Sequence, residues 1–152
     1  MALSLEQLAR RADLVVRGTV RQSRSEWRGP LIYTVTAVEV AERLKGPSAP
    51  GPAGRTIEVA QLGGAVGRDA MPVAGAAELR PGEQVVLFLL RNRERTGEYY
   101  LAGMSQGKLG VAGDGAWLWA PTATLWDNGA LREPTPRRVT RDALRAAVRG
   151  AR

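Results

Sequence analysis

The stretch that decides the fold is DLVVRGTVR at residues 13–21, where the spacing of apolar residues becomes two. Every second residue from Leu14 to Val20 falls on one face of an extended chain, and the residues between them fall on the other. The pattern predicts a half-exposed first strand. Gly18 within it indicates a bend or the close approach of another backbone.

A second long β segment follows the turn at residues 28–30. Leu31–Leu44 is rich in Ile, Tyr, Thr and Val, which favour strands. Its apolar phase shifts part-way along, which predicts a β-bulge near Thr36 or Ala37. The two long strands are therefore expected to form a first hairpin.

Further strands are expected up to about residue 132. Gln84–Leu90 is a continuous apolar run, typical of a central strand covered on both faces. The Pro- and Gly-rich loop 45–55 has little capacity for regular structure. Shorter strands are predicted at 56–62, 71–73, 98–104, 108–112 and 117–120, with turns at 91–97, across Asp114-Gly115 and at 127–129.

A short helix is predicted at each end. Ser4 and Gln7 fit a capping box for a helix at about 4–12. Thr140 suits the N-cap of a second helix at about 140–150. Because we find no internal repeat and no second domain, the sequence predicts one mainly β domain over 1–152, with its strands at about 13–132.

Composition removes most familiar enzyme sites. The 152 residues include no Cys and no His, which excludes disulfides, thiol catalysis, zinc fingers and Ser-His-Asp triads. The net charge of +7 points to a polyanion partner. However, the arginines are dispersed and form no run of five, as a biased composition also produces. No stretch approaches the roughly 20 apolar residues of a membrane span, so no membrane insertion is expected.

Catalytic motifs are not apparent. The Gly-rich stretch 63–67 lacks the Gly-Lys-Ser/Thr ending of a phosphate loop and is interpreted as a turn. Ser105 and Lys108 are three residues apart, so in a β segment they point to opposite faces and form no nucleophile pair. The acidic residues show no spacing that requires convergence or a calcium loop. We expect no catalytic residue, no cofactor and no metal ion.

Several short motifs carry a family resemblance. ADLVVRGTV at 12–20, IYTV at 32–35, LKGP at 44–47 and the following Gly-Gly loop resemble the first half of the tissue inhibitor of metalloproteinases and netrin-module group. GEQVVLFL at 82–89 and Gln-Gly-Lys at 106–108 resemble uncharacterised exported bacterial proteins more closely. The resemblance covers roughly residues 5–112. It implies an OB-like, partly open five-stranded barrel and an exported protein.

The inhibitor mechanism of that family is not expected here. In the family, an N-terminal Cys places its amine and carbonyl on the catalytic zinc of the protease. This chain has no Cys, and its N-terminus is predicted to enter a helix.

Aromatic and basic residues define a candidate binding surface, because OB barrels bind oligonucleotides or oligosaccharides through such side chains. Trp117 and Trp119 share one strand face and are interpreted as core, since the chain has a single Phe. Trp27 is expected to be exposed at a hairpin tip. The candidate residues are Arg17, Arg21, Trp27, Arg28 and Tyr99.

The expected function is that of a non-enzymatic binding module for a protein partner. The resemblance implies a secreted, periplasmic or envelope-associated location, with a signal peptide removed. The alternative is a cytoplasmic, OB-type protein that binds single-stranded nucleic acid through Arg17, Arg21, Trp27 and Arg28. A third class, a carboxylate-based hydrolase, requires two acidic residues that face one pocket.

Overall fold

The structure is a computed structural model that describes residues 3–46, 55–73, 76–111, 115–119, 125–127, 130–132 and 136–151. The helices are α1 (Leu5–Arg11) and α2 (Arg141–Arg149), and a 3₁₀ helix spans Met104–Gly107. The strands are β1 (Leu14–Arg28), β2 (Leu31–Lys45), β3 (Thr56–Leu62), β4 (Gly64–Val66), β5 (Asp69–Met71), β6 (Gln84–Arg91), β7 (Glu98–Leu101), β8 (Lys108–Val111), β9 (Trp117–Trp119), β10 (Leu125–Asp127), β11 (Ala130–Arg132) and β12 (Arg137–Val139).

Five strands are hydrogen-bonded in a ring. β1 pairs with β2, β2 with β3, β3 with β7, β7 with β6, and β6 again with β1. The β3–β7 pairing is parallel and consists of two residue pairs, Glu58 with Glu98 and Val59 with Tyr99. This seam is short, so the ring is not a closed barrel. The expected mainly β, OB-like and partly open barrel with a helix at each end is confirmed.

Gly18 lies where the β1 and β2 backbones come close together. A Cβ atom built on Gly18 would lie 2.4 Å from the carbonyl oxygen of Glu39. The register slips around this point, with Arg17 opposite Glu42 and Gly18 opposite Val40. The close backbone approach predicted from the glycine is confirmed.

The predicted bulge is present, but its extra residue belongs to β1. Val20 pairs with Val38 and Ser23 pairs with Thr36, so two residues of β1 lie opposite Ala37. β2 stays in regular register with β3 through this region. The pairing of β1 with β6 ends at Thr19, so Arg21 and Gln22 lie beyond it, where an insertion is accommodated more easily.

Apolar residues form two cores on opposite faces of β6. One core contains Val85, Leu87 and Leu89 with side chains from β1, β2, β3 and β7. The other contains Val86 and Phe88, on which both helices and β9 pack. The prediction of a central strand covered on both faces is confirmed.

Both helices begin at the predicted caps. The Ser4 side chain accepts from the amide of Gln7, and the Gln7 side chain accepts from the amide of Ser4. At the other end of α1, the Lys45 ammonium donates to the carbonyls of Ala9 and Ala12. Thr140 accepts from the amide of Ala143 at the start of α2.

Several predicted boundaries were wrong. The strand expected at 98–104 ends at Leu101, because Gly103 turns the chain with φ +67° into the 3₁₀ helix. The short strand expected at 71–73 lies at Asp69–Met71, where β4 supplies its partner. Residues 47–54 of the expected loop, Asp114 and residues 128–129 lie outside the described residues. Among the described residues, no helix is both long and apolar enough to cross a membrane.

Candidate binding cleft

Two of the predicted site residues are ion-paired across the first hairpin. The Arg17 Nε atom lies 3.3 Å from Glu42 Oε2, and Arg21 Nη2 lies 2.5 Å from Glu39 Oε2. The side chains of Glu42 and Glu39 are 37% and 43% exposed, so both glutamates lie on the outer face of β2. Each guanidinium therefore already has a carboxylate partner on the neighbouring strand.

Arg28 is held within a network of charged side chains. Its Nε donates to Glu26 at 3.1 Å, and its guanidinium carbon lies 5.2 Å from the centroid of the Tyr33 ring. Its Nη2 lies 2.6 Å from Glu98 Oε1 and forms an ion pair with it. Within the described structure, this contact is not a hydrogen bond, because Glu98 Oε1 accepts no well-aligned donor. The Arg28 side chain is 14% exposed and that of Glu98 is 5% exposed. Arg28 is thus a buried structural partner rather than a free cation.

The aromatic candidates separate into exposed and buried groups. Trp27 is 48% exposed near the β1–β2 turn, as expected. Tyr99 packs against the core that contains Leu101. Trp117 and Trp119 are buried, in agreement with their interpretation as core residues. Of the five predicted residues, Trp27 is therefore exposed, the three arginines are ion-paired and Tyr99 is partly buried.

Carboxylates are paired with cations instead of converging on a pocket. Glu58 accepts from Arg24 at 2.6 Å, and the hydrogen bond from Arg28 holds the pKa of Glu26 below its usual range. The Arg80 hydrogen bond likewise lowers the pKa of Glu78. No three acidic side chains come together as a metal site in the described part of the chain.

Ser105 and Lys108 lie in a context that the sequence did not predict. The 3₁₀ helix holds Ser105 buried, where a β segment was expected. Lys108 Nζ lies 2.8 Å from Glu83 Oε2 and donates to the carbonyl of Glu78. Lys108 is therefore engaged with a carboxylate and a backbone carbonyl rather than with Ser105.

A cleft of about 380 Å³ opens beside β2 and β3. Hydroxyl and amide groups come from the strands of the ring, and apolar side chains come from β5 and the residues after it. Its described lining carries no charged residue. The lining residues are Ser23, Thr34, Thr36, Gln61, Leu62, Gly63, Gly64, Ala70, Met71, Pro72, Val73, Ala76, Ala77 and Leu79.

Two hydroxyl pairs span β1 and β2 at this cleft. Ser23 Oγ and Thr36 Oγ1 are 2.8 Å apart, and Ser25 Oγ and Thr34 Oγ1 are 3.0 Å apart. Thr34 donates its hydrogen to the carbonyl of Gly63, so Ser25 is the donor in its pair. The bond between Ser23 and Thr36 uses one of their two hydrogens. When Thr36 is the donor, the hydrogen of the exposed Ser23 hydroxyl is available to a ligand in the cleft.

Gly64 allows β4 to lie directly over these hydroxyls. Its φ is +137°, and a Cβ atom there would lie 2.4 Å from Thr34 Oγ1 and 2.6 Å from Ser25 Oγ. Any side chain would clash with both hydroxyls. The Gly-rich stretch 63–67 was predicted to be a turn. Its Gly64 allows β4 to pack closely against the ring.

Gln61 fixes the opposite wall of the cleft. Its Nε2 donates to the carbonyl of Ala77 at 3.1 Å, and its Oε1 accepts from the amide of Ala77 at 2.8 Å. The Gln61 side-chain amide therefore bonds to the backbone of the segment at 76–79 as a neighbouring strand would. Ala77 and Leu79 pack on the core at the same place.

Comparison with known protein families finds no match, and comparison with curated protein sequences finds none.

None of the predicted motifs pointed to this cleft, although the sequence holds a signal for it. Ser23 and Ser25 alternate on β1, and Thr34 and Thr36 alternate on β2, opposite one another. Hydroxyl side chains repeated at a spacing of two on adjacent strands share one face. Such a face within an otherwise apolar sheet provides hydrogen-bonding groups for an uncharged, polar ligand.

Proposed function

We propose that this protein is a non-enzymatic, exported binding module whose cleft holds an extended, uncharged segment of a protein partner. The observation that carries the proposal is the neutral lining of the cleft, with hydroxyls on one side and apolar side chains on the other. Its volume is within the range of pockets that bury small ligands.

An extended peptide fits the strand that borders the cleft. β5 pairs with β4 in the described residues, and its Ala70 and Met71 line the cleft. A short strand bonded on one edge offers backbone groups to an added strand, and neighbouring pockets then select alternate side chains. Ser23 and Thr36 supply further polar contacts.

Ion pairing favours a protein partner over single-stranded nucleic acid. Binding phosphates through Arg17, Arg21 or Arg28 would require these side chains to leave Glu42, Glu39 and Glu98. The indole of Trp27 is the one exposed aromatic group among the five candidates placed above. The paired carboxylates also support a non-enzymatic role, since a general acid needs a raised pKa and that of Glu26 is lowered.

The test is selection of peptides from a random display library, followed by mapping of the contact site. Selected peptides should shift the amide resonances of Ser23, Thr34 and Gln61. Ala70→Trp, which fills the cleft, should abolish binding, whereas Ala143→Trp on the exposed side of α2 should leave it unchanged. Affinity should change by less than about twofold between about 50 mM and about 500 mM salt, because none of the described lining residues of the cleft is charged.

Two outcomes would overturn the proposal. One is that selected peptides bind Ala70→Trp as well as the parent protein. The other is tight binding of oligo-thymidine that weakens steeply with salt, which indicates the nucleic-acid alternative.

Export is a separate part of the proposal and is supported by the resemblance of residues 5–112. Fusion of alkaline phosphatase to the product of the natural gene should give active enzyme, since that reporter requires an extracytoplasmic location. An inactive fusion that is nevertheless made in full would contradict export.

A further inference from the structure

A groove with a strongly basic rim lies between α2 and β2, and it shares no residue with the neutral cleft. It consists of two hollows of about 310 Å³ and about 270 Å³ that have Glu42, Leu44 and Arg145 in common. We call it the basic groove. Its charged residues are Arg17, Glu42, Arg43, Arg141, Arg145 and Arg149.

One side of the basic groove is a row of guanidiniums on α2. Arg141, Arg145 and Arg149 follow one another at every fourth residue, so they lie on one side of the helix about 6 Å apart along its axis. The row borders the buried residues Leu144 and Val148, which form part of the floor. The three charges therefore flank the groove along its length.

Among the described lining residues of the basic groove, positive charge exceeds negative charge. Glu42 lies 3.3 Å from Arg17 and 3.7 Å from Arg145, so it serves two guanidiniums. Within the described part of the chain, Arg141 and Arg149 contact no carboxylate. Five arginines against one glutamate leave a site that selects anions.

We propose that the basic groove binds an extended acidic segment of a protein, with carboxylates at alternate positions. Alternate side chains on an extended chain are about 6.8 Å apart, close to the spacing of the arginines along α2. Guanidinium forks bind carboxylates in a bidentate manner, which favours arginine over lysine at such a site. This surface goes beyond the neutral cleft and does not depend on it.

The shape of the basic groove disfavours other polyanions. A bilayer surface is flat and does not reach the apolar floor of a concave groove. Single-stranded nucleic acid binds through exposed aromatic rings as well as cations. The aromatic residue of this groove, Trp117, is only 4% exposed and offers no face for stacking.

The experiment uses the whole chain and a labelled nonapeptide in which Thr and Glu alternate. Binding should be measurable by fluorescence anisotropy at low salt and should weaken as salt increases. The double variant Arg141→Gln/Arg149→Gln should bind the peptide about fivefold more weakly, because it removes two exposed ion pairs with the carboxylates of the peptide. It leaves Glu42 and its partners undisturbed. The control variant Arg68→Gln/Arg93→Gln loses the same charge at exposed sites outside the groove and should bind like the parent.

Other probes test the identity of the occupant. A nonapeptide with Gln in place of Glu should not bind. Oligo-thymidine and vesicles containing anionic lipid should bind more weakly than the acidic peptide. Tighter binding of either, an equal loss in both double variants, or no binding of the acidic peptide would overturn the proposal. None of these results bears on the neutral cleft, which Ala70→Trp tests separately.

Discussion

At the scale of single residues, two positions show how local chemistry stabilises the first hairpin. Gly18 is required by the backbone of the opposite strand, because the nearest atom to its missing side chain is a carbonyl oxygen of Glu39. Glu26 lies between Arg24 and Arg28 and accepts a hydrogen bond from each. Both positions can be tested by substitution.

Gly18→Ala should destabilise the protein by about 1–3 kcal/mol, because the added methyl group would clash with the Glu39 carbonyl oxygen. A backbone atom cannot move aside as easily as a side chain can. The measurement is urea unfolding, with a lower midpoint and an unchanged slope. Gly110→Ala is the matched control, because its first contact would be the Glu83 side chain at 3.4 Å. Equal stability of the two variants would show that β1 and β2 are not in close contact at Gly18.

Stability should decrease on acidification, in part through Glu26. The hydrogen bond from Arg28 lowers the pKa of this carboxyl in the folded state, against the opposing effect of desolvation. Its contribution is therefore present above the unfolded pKa and is lost as pH falls through the lowered folded pKa. Thermal unfolding of Glu26→Gln should show a shallower pH dependence than the parent, and a destabilisation at pH 7 that narrows in acid.

The control for this pH dependence is Glu6→Gln on the exposed side of α1. Its unfolding temperature should follow the parent across the same range. A Glu26→Gln curve that runs parallel to the parent would show that Arg28 does not stabilise the ionised carboxylate.

At the scale of elements, α1 shows how a seven-residue helix is held. A helix this short is marginal by itself, so its ends and its buried face must stabilise it. Its N-terminus has the capping box of Ser4 and Gln7, which is visible in the sequence. Its C-terminus depends on Lys45, which lies at the end of β2 and comes close only through the fold.

Lys45→Met should destabilise the protein by about 1–2 kcal/mol, because the last carbonyls of α1 lose a charged donor. Hydrogen exchange should accelerate in α1 more than in β6. Arg10→Met, on the exposed side of the same helix, should have little effect on either measurement. Uniform acceleration across the chain in Lys45→Met would argue against a local role.

At the scale of the whole molecule, the ring is held by unequal seams. β1 and β6 pair along Leu14–Thr19, whereas β3 and β7 share two residue pairs. Elsewhere on β3, the Gln61 side chain bonds to both backbone groups of Ala77. Ala77 lines the neutral cleft, so this side-chain amide holds one wall of it.

Gln61→Leu should lower the free energy of unfolding by about 1–3 kcal/mol, since it leaves the amide and carbonyl of Ala77 without their partners. Exchange at Ala77 should rise sharply, while β1 and β6 stay protected. The control is Gln84→Leu, at the exposed first residue of β6. Unchanged exchange at Ala77 would show that Gln61 does not hold this segment.

The sequence by itself determined the features that depend on neighbouring residues. The period of two from residue 13, the glycine in β1, the apolar run of β6 and the two helix caps predicted a mainly β domain with a helix at each end. These signals are local, because they arise from alternation, capping and backbone freedom within a few residues. For the same reason, the predicted strand after Gly97 was longer than the observed one. Its residues favour a strand, but Gly103 turns the chain and ends it.

Only the tertiary structure decided the two proposed binding surfaces. Ser23, Thr36 and Gln61 meet at the cleft because the bulge in β1 and the register of β2 with β3 bring them together. Likewise, arginines that are dispersed along the chain form the basic groove once α2 packs beside β2. Strand register depends on turn geometry and on which face is buried, and the packing of α2 beside β2 joins residues far apart in sequence, so neighbouring residues alone determine neither.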